Sequence, residues 1–94
     1  MYKIDSTTHF DRQLKKLTAR HFDLIIVYEN ALNILEQDPY NISRTHKIKK
    51  LTDIAPATKG MWRFTDGAYR IRYDIEGKKV ILLRISDRKD AYQK

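Results

Sequence analysis

Cysteine is absent from the sequence. A disulfide-stapled secreted mini-domain and a thiolate metal site are thereby excluded. Two prolines and three glycines in 94 residues leave no collagenous, linker-like or low-complexity tract. No run of about 18 apolar residues occurs, so no membrane-spanning helix is expected. The opening Met1-Tyr2-Lys3-Ile4-Asp5 lacks the apolar stretch of a signal peptide. A cytoplasmic globular domain is expected, a single unit over residues 1–94. Its 41% apolar content is enough for a core.

Charge is unevenly placed. The formal net charge is +7. Residues 1–39 hold five basic and six acidic residues, whereas residues 40–94 hold fourteen basic and six acidic ones. The whole positive excess thus lies in the second half. Such asymmetry points to a polyanion, nucleic acid first among them, or to a solvated basic surface kept for solubility.

Hydrophobic periodicity places the elements. Tyr2-Lys3-Ile4-Asp5 alternates as a short strand does. Ser6, Thr7 and Thr8 offer capping oxygens to a helix whose Phe10, Leu14 and Leu17 share one stripe. Thr18 is the expected cap of a second helix with a stripe of Leu24, Val27, Tyr28, Ala31 and Leu35. Phe22, Ile25, Ile26 and Leu32 widen that stripe, which predicts a helix covered on more than one side. Asp38-Pro39 ends it, because the residue before proline avoids the α region. Residues 40–58 read as a loop with one extended piece near Lys47–Leu51.

From Lys59 the period becomes two. Trp62 and Phe64 alternate with Met61, Arg63 and Thr65, a spacing that makes Trp62 a core residue. Asp66-Gly67, as central turn residues, predict a hairpin in which Arg63 faces Arg70 and Met61 faces Arg72. Tyr69, Ile71, Tyr73 and Ile75 fall on one face of the next strand, and Arg70, Arg72 and Asp74 on the other. Glu76-Gly77 is a second turn. Val80 to Leu83 and Ile85 read as a strand buried on both faces. The fold class is therefore α+β: an N-terminal strand and a two-helix hairpin packed on a mainly antiparallel sheet with a C-terminal three-strand meander. Like charges directly opposite each other destabilise a strand pair. The predicted Arg63–Arg70 pair is either an anion-binding face or two arginines splayed into water.

The strings YRIRYDI (69–75), KKVILLRIS (78–86) and DRKDAY (87–92) resemble the RelE/ParE superfamily of toxins. Upstream, HKIKKL (46–51) and WRF (62–64) are similar to the basic segment and the arginine-bearing strand of that family. The order of elements agrees over essentially the whole chain. The resemblance implies a RelE-like microbial RNase-type fold and the toxin of a type II toxin–antitoxin system. RelE-like members cut messenger RNA in the ribosomal A site. ParE-like members inhibit DNA gyrase without nuclease chemistry. The first activity is the expected one here; a gyrase inhibitor and a non-toxic basic nucleic-acid-binding domain are the alternatives. The implied partners are a cognate antitoxin, with which a hetero-oligomer would form, the ribosome and mRNA.

By the same resemblance, Arg70 matches the arginine at the scissile phosphate, and Arg63, Arg88 and Tyr92 complete the expected catalytic set. Lys47, Lys49, Lys50, Lys59, Arg72 and Arg84 are the expected RNA contacts. Two positions depart from the pattern: Met61 replaces a basic residue, and Asp87 stands where many relatives have histidine.

The chemistry is consistent with those residue types. A 2′-hydroxyl attacks the adjacent phosphate, and the protein aligns the attack, stabilises the growing charge and protonates the leaving 5′-oxygen. Arginine's planar fork suits the phosphorane. Tyr92 is a candidate acid, a stacking platform or a packed tail residue. His9 and His21 fall at expected helix starts, and His46 lies in the basic loop, where it is a candidate to approach the site. No spacing fits zinc, and no cofactor or metal is expected.

Overall fold

The computed structural model describes residues 1–52 and 60–87. Its elements are β1 (Lys3–Ser6), α1 (Thr8–Thr18), α2 (Leu24–Gln37), β2 (Ile48–Lys50), β3 (Trp62–Asp66), β4 (Tyr69–Glu76) and β5 (Lys79–Asp87). The strands form one mixed sheet in the order β1-β5-β4-β3-β2. All pairs are antiparallel except β1 with β5. Two helices on such a sheet make the α+β architecture that the sequence pattern predicts. Among the described residues, no helix is long and apolar enough to cross a membrane.

Local chemistry sets the helix ends. Thr7 caps α1, its Oγ1 accepting from the Phe10 N–H at 3.1 Å. Thr18 does not cap α2. It lies in the last turn of α1, where its hydroxyl donates to the Lys15 carbonyl. Helix α2 begins six residues later, at Leu24, and Asp23 precedes it without a side-chain capping bond. That carboxylate is engaged elsewhere: it accepts the Tyr69 hydroxyl at 2.9 Å. Burial first, and then this bond to Asp23, push the Tyr69 phenol up to about 12.

The core joins Phe10 and Leu17 of α1, Leu24, Ala31 and Leu35 of α2, and the inward residues of the sheet, among them Phe64, Ile71, Tyr73, Val80, Leu82 and Ile85. Tyr73 is wholly buried and donates its hydroxyl to the Pro39 carbonyl at 2.7 Å. Trp62 packs against this core, 5.4 Å from the Tyr40 ring and 6.5 Å from that of Tyr73. Among the described residues, no element covers the second side expected for α2. Phe22 is 80% and Ile26 72% exposed. Helix α1 packs chiefly on β5 and touches α2 little, so it leaves that flank open.

Two register corrections matter for the site. The central residues of the first hairpin turn are Gly67 and Ala68, not Asp66 and Gly67: Asp66 pairs with Tyr69. Only Gly67 has positive φ (58°) in this turn, which is the type II′ requirement of glycine at the first central position rather than the I′ requirement at both. The second turn follows suit, with Gly77 at φ 59° between the paired Glu76 and Lys79. The second correction concerns β5. Arg72 faces Arg84 but Tyr73 faces Leu82, so Leu83 is an extra residue in the strand. This bulge resets the alternation. It puts Leu82 and Ile85 into the core, leaves Ile81 and Leu83 half-buried and exposes Arg84. The apolar run of β5 therefore reflects a bulge and one deeply buried face rather than two.

Candidate functional site

The corrected registers align four cations. Lys49 of β2 pairs with Arg63 of β3, Arg63 with Arg72 of β4, and Arg72 with Arg84 of β5. The predicted direct opposition of Arg63 and Arg70 is replaced by Arg63 against Arg72. The shift is two places in the pairing sum, so every side chain keeps its face. Arg70 sits in the adjacent row, between Thr65 and Ser86. One face of the sheet thus carries a line of positive charge running across the strands.

A cavity of about 460 Å³ opens on this face. Arg63, Arg70, Arg72 and Arg84 line it with Gln13, Ser86, Leu51 and Ile85. Among these described residues there is no carboxylate. The Nε of Arg63 is buried with no hydrogen-bond partner among the described residues. An unsatisfied buried donor of this kind is costly unless an acceptor arrives.

Arg72 has a second task. Its Nε and Nη2 donate to the Gly60 carbonyl at 3.0 and 2.7 Å. Asp74, two residues on along β4, accepts from the N–H groups of Gly60 and Met61 at 3.0 and 2.8 Å. Together they fasten the chain entering β3 to the rim of the cavity. Glycine is required at residue 60: its φ is +82°, and an added Cβ would lie 3.3 Å from the Arg72 Cβ.

Helix α1 supplies a group that the sequence reading missed. Strand β1 pairs with β5 only as far as Leu82, and among the described residues no strand pairs with the outer edge of β5 beyond it. There the Ile85 N–H donates to the Gln13 side-chain oxygen at 3.2 Å. A backbone N–H can bond only the oxygen of the amide, which leaves the amide nitrogen as the group Gln13 offers to the cavity. Ser86 was likewise missed. Helical period places Gln13 off the apolar stripe, but its partner depends on where β1 stops.

The other expected residues fall as follows. Lys47 is exposed, and its carbonyl accepts from the Thr65 N–H at 2.9 Å. Lys50 pairs with Trp62, on the opposite face from the arginines, and its ammonium lies 5.8 Å from that ring. Lys59, Arg88 and Tyr92 lie outside the described residues. His46 does not line the arginine cavity. It lies 3.8 Å from Asp38 in the 38–46 loop. Partial burial opposes ionisation of Asp38, but hydrogen bonds from Ser43 and the Ile42 N–H, with His46 near, hold its carboxyl below the ordinary range. His21 follows α1 rather than opening α2. Its Nε2 is 3.4 Å from Asp87, and its ring meets Tyr69 edge-on at 5.9 Å. An imidazole from the α1–α2 connection thus stands beside the Asp87 carboxylate.

Comparisons with known proteins agree with this architecture. Residues 4–92 match the sequence profile of the ParE toxin of type II toxin–antitoxin system, parDE. The chain belongs to this family of type II toxins. Its fold is similar to that of a chain in the toxin–antitoxin complex RelBE2 of Mycobacterium tuberculosis, with 28% identity and a TM-score of 0.69 over 93% of this chain and 98% of that one. It is also similar to a chain in the DinJ–YafQ complex of E. coli, with 15% identity and a TM-score of 0.72 over 99% and 100%. A third likeness is to the RelB–RelE antitoxin–toxin complex of Methanococcus jannaschii, with 18% identity and a TM-score of 0.62 over 94% of each chain. No curated protein matches the sequence.

Proposed function

We propose that this toxin is a ribosome-dependent endoribonuclease that cuts messenger RNA. The observation that carries the reading is the line of Lys49, Arg63, Arg72 and Arg84 across four strands, with Arg70 beside it over a cavity whose described lining has no carboxylate. Aligned like charges destabilise a sheet, and an anion that sits among them removes that cost. In this mechanism the RNA's own 2′-oxygen, its proton passing to solvent, attacks phosphorus as the bond to the 5′-oxygen breaks. A 2′,3′-cyclic phosphate and a free 5′-hydroxyl result. Arg63 and Arg70 hold the charge that builds on the phosphorane. Arg84 and Lys49 extend the positive field along the message. Arg88 is the proposed third cation for the phosphorane charge, and Tyr92 the proposed acid that gives a proton to the 5′-oxygen.

A cognate antitoxin is the proposed protein partner, since the relatives from Mycobacterium tuberculosis, E. coli and Methanococcus jannaschii are complexes with one. The open flank of α2, with Phe22, Ile25 and Ile26, offers apolar surface to a helix of that partner.

The second reading, a gyrase inhibitor without catalysis, is favoured by the ParE description of the matched family. One experiment separates the two. The antitoxin-free protein is added to a reconstituted translation reaction, and messenger ends are mapped by primer extension. New ends are expected, and Arg70→Ala is expected to abolish them while the fold persists. No new ends, together with blocked DNA supercoiling by gyrase, would establish the second reading.

A further inference from the structure

The cationic cavity does not stop at the sheet. A second compartment of about 210 Å³ adjoins it, lined by Gln13, Lys16, Leu17, Arg20, Ile85 and Ser86. Gln13, Ile85 and Ser86 line both. We infer that this second compartment seats the RNA backbone next to the scissile phosphate, with Lys16 and Arg20 as its phosphate contacts. The inference rests on the nuclease reading for the identity of the chain it holds.

Helical geometry makes the compartment. Gln13, Lys16 and Arg20 are spaced i, i+3 and i+7, so they follow one face of α1 and its closing turn. That turn is held by the Arg20 and His21 N–H groups, which both donate to the Leu17 carbonyl, at 3.1 and 2.8 Å. The Gln13 bond to the open edge of β5 sets the whole face against the strand. Cations and an amide nitrogen form one wall, and Leu17 and Ile85 form an apolar floor. No carboxylate is among the described residues of either compartment. A compact inorganic anion is best held by donors on all sides. Donors on one wall over an apolar floor match a ribose–phosphate chain, charged along one edge and less polar along the other. Continuity through Gln13 and Ser86 makes the two compartments one track, and a single strand of RNA is the ligand long enough to fill both.

The test is binding of the full-length protein to a short single-stranded RNA carrying 2′-O-methyl groups, which cannot be cut. Fluorescence anisotropy is read across a salt series, with wild type compared to Lys16→Ala/Arg20→Ala. Loss of two phosphate contacts lowers the slope of log affinity against log salt by about 1.4, at about 0.7 per phosphate of a single strand. Circular dichroism checks that the exposed helix face tolerates the change. An unchanged slope and affinity would overturn the second compartment while leaving the nuclease reading to the end-mapping experiment. Wild type that shows no binding would overturn it as well. An unchanged RNA slope with weakened binding of an acidic antitoxin peptide would reassign the face to protein. A reduced slope in the double variant, with a wild type that makes no messenger ends, would keep the track and remove the nuclease.

Discussion

The two faces of this sheet are built from the same strands and obey opposite rules. Toward the helices, Phe64, Ile71, Tyr73, Leu82 and Ile85 are almost completely buried, and removal of their apolar area from water holds the domain together. On the other face each strand from β2 to β5 contributes a cation to one row, which works against the sheet. The difference teaches that stability and function are divided by the pleat. Alternate residues of β3 and β4 belong to different tasks. Arg72 is the exception, since it lies in the row yet also clamps Gly60.

Three substitutions probe that division. The largest effect is expected on the apolar side. Phe10→Ala empties a fully buried site and should cost about 3–5 kcal/mol, read as a fall in the urea midpoint. A loss of activity without a loss of stability would show that the two faces are not separable. Arg72→Ala comes next. Its loss removes charge-assisted bonds to the Gly60 carbonyl and relieves two like-charge pairs, for a net loss of about 1–2 kcal/mol. If Arg72→Ala were as stable as wild type, the clamp would be no exception to the rule. The smallest effect has the opposite sign. Arg84→Gln should raise stability by about 0.2–1 kcal/mol, because Arg84 faces Arg72 directly. The gain should shrink as salt screens the pair. A lower midpoint for Arg84→Gln would mean that the row is already neutralised within the protein.

Much of this was legible in the sequence because two-residue alternation survives a shift of register by two. Alternation alone puts Arg63, Arg70 and Arg72 on one face, which they share, although Arg63 pairs with Arg72 and not with Arg70. The turn misled because Asp66-Gly67 satisfies a common hairpin signal, whereas a single glycine at positive φ selects the Gly67-Ala68 turn. The bulge at Leu83 was hidden, since an extra residue in an apolar strand looks like burial on both faces. Gln13 was invisible for a different reason. Its role depends on β1 ending at Ser6 opposite Leu82, a contact between the two ends of the chain that no local pattern encodes. The His21–Asp87 approach is likewise long-range. Thr18 failed as a cap because α1 continues through it before the chain turns.

The row of cations has a consequence for how the domain comes into being. Its members belong to four strands separated by two turns and a long connection, and the last of them, Arg84, lies on the strand that must also find β1. Pairs within the row lie 9 to 14 residues apart, whereas β5 meets β1 across 76 residues, and contacts of such wide separation form slowly. A partly synthesised chain that has not yet made β5 has its lysines and arginines but not their alignment. On the proposed reading of this row as the toxic site, the harm arrives only with the completed sheet, which leaves a newly made antitoxin an interval in which to be ready.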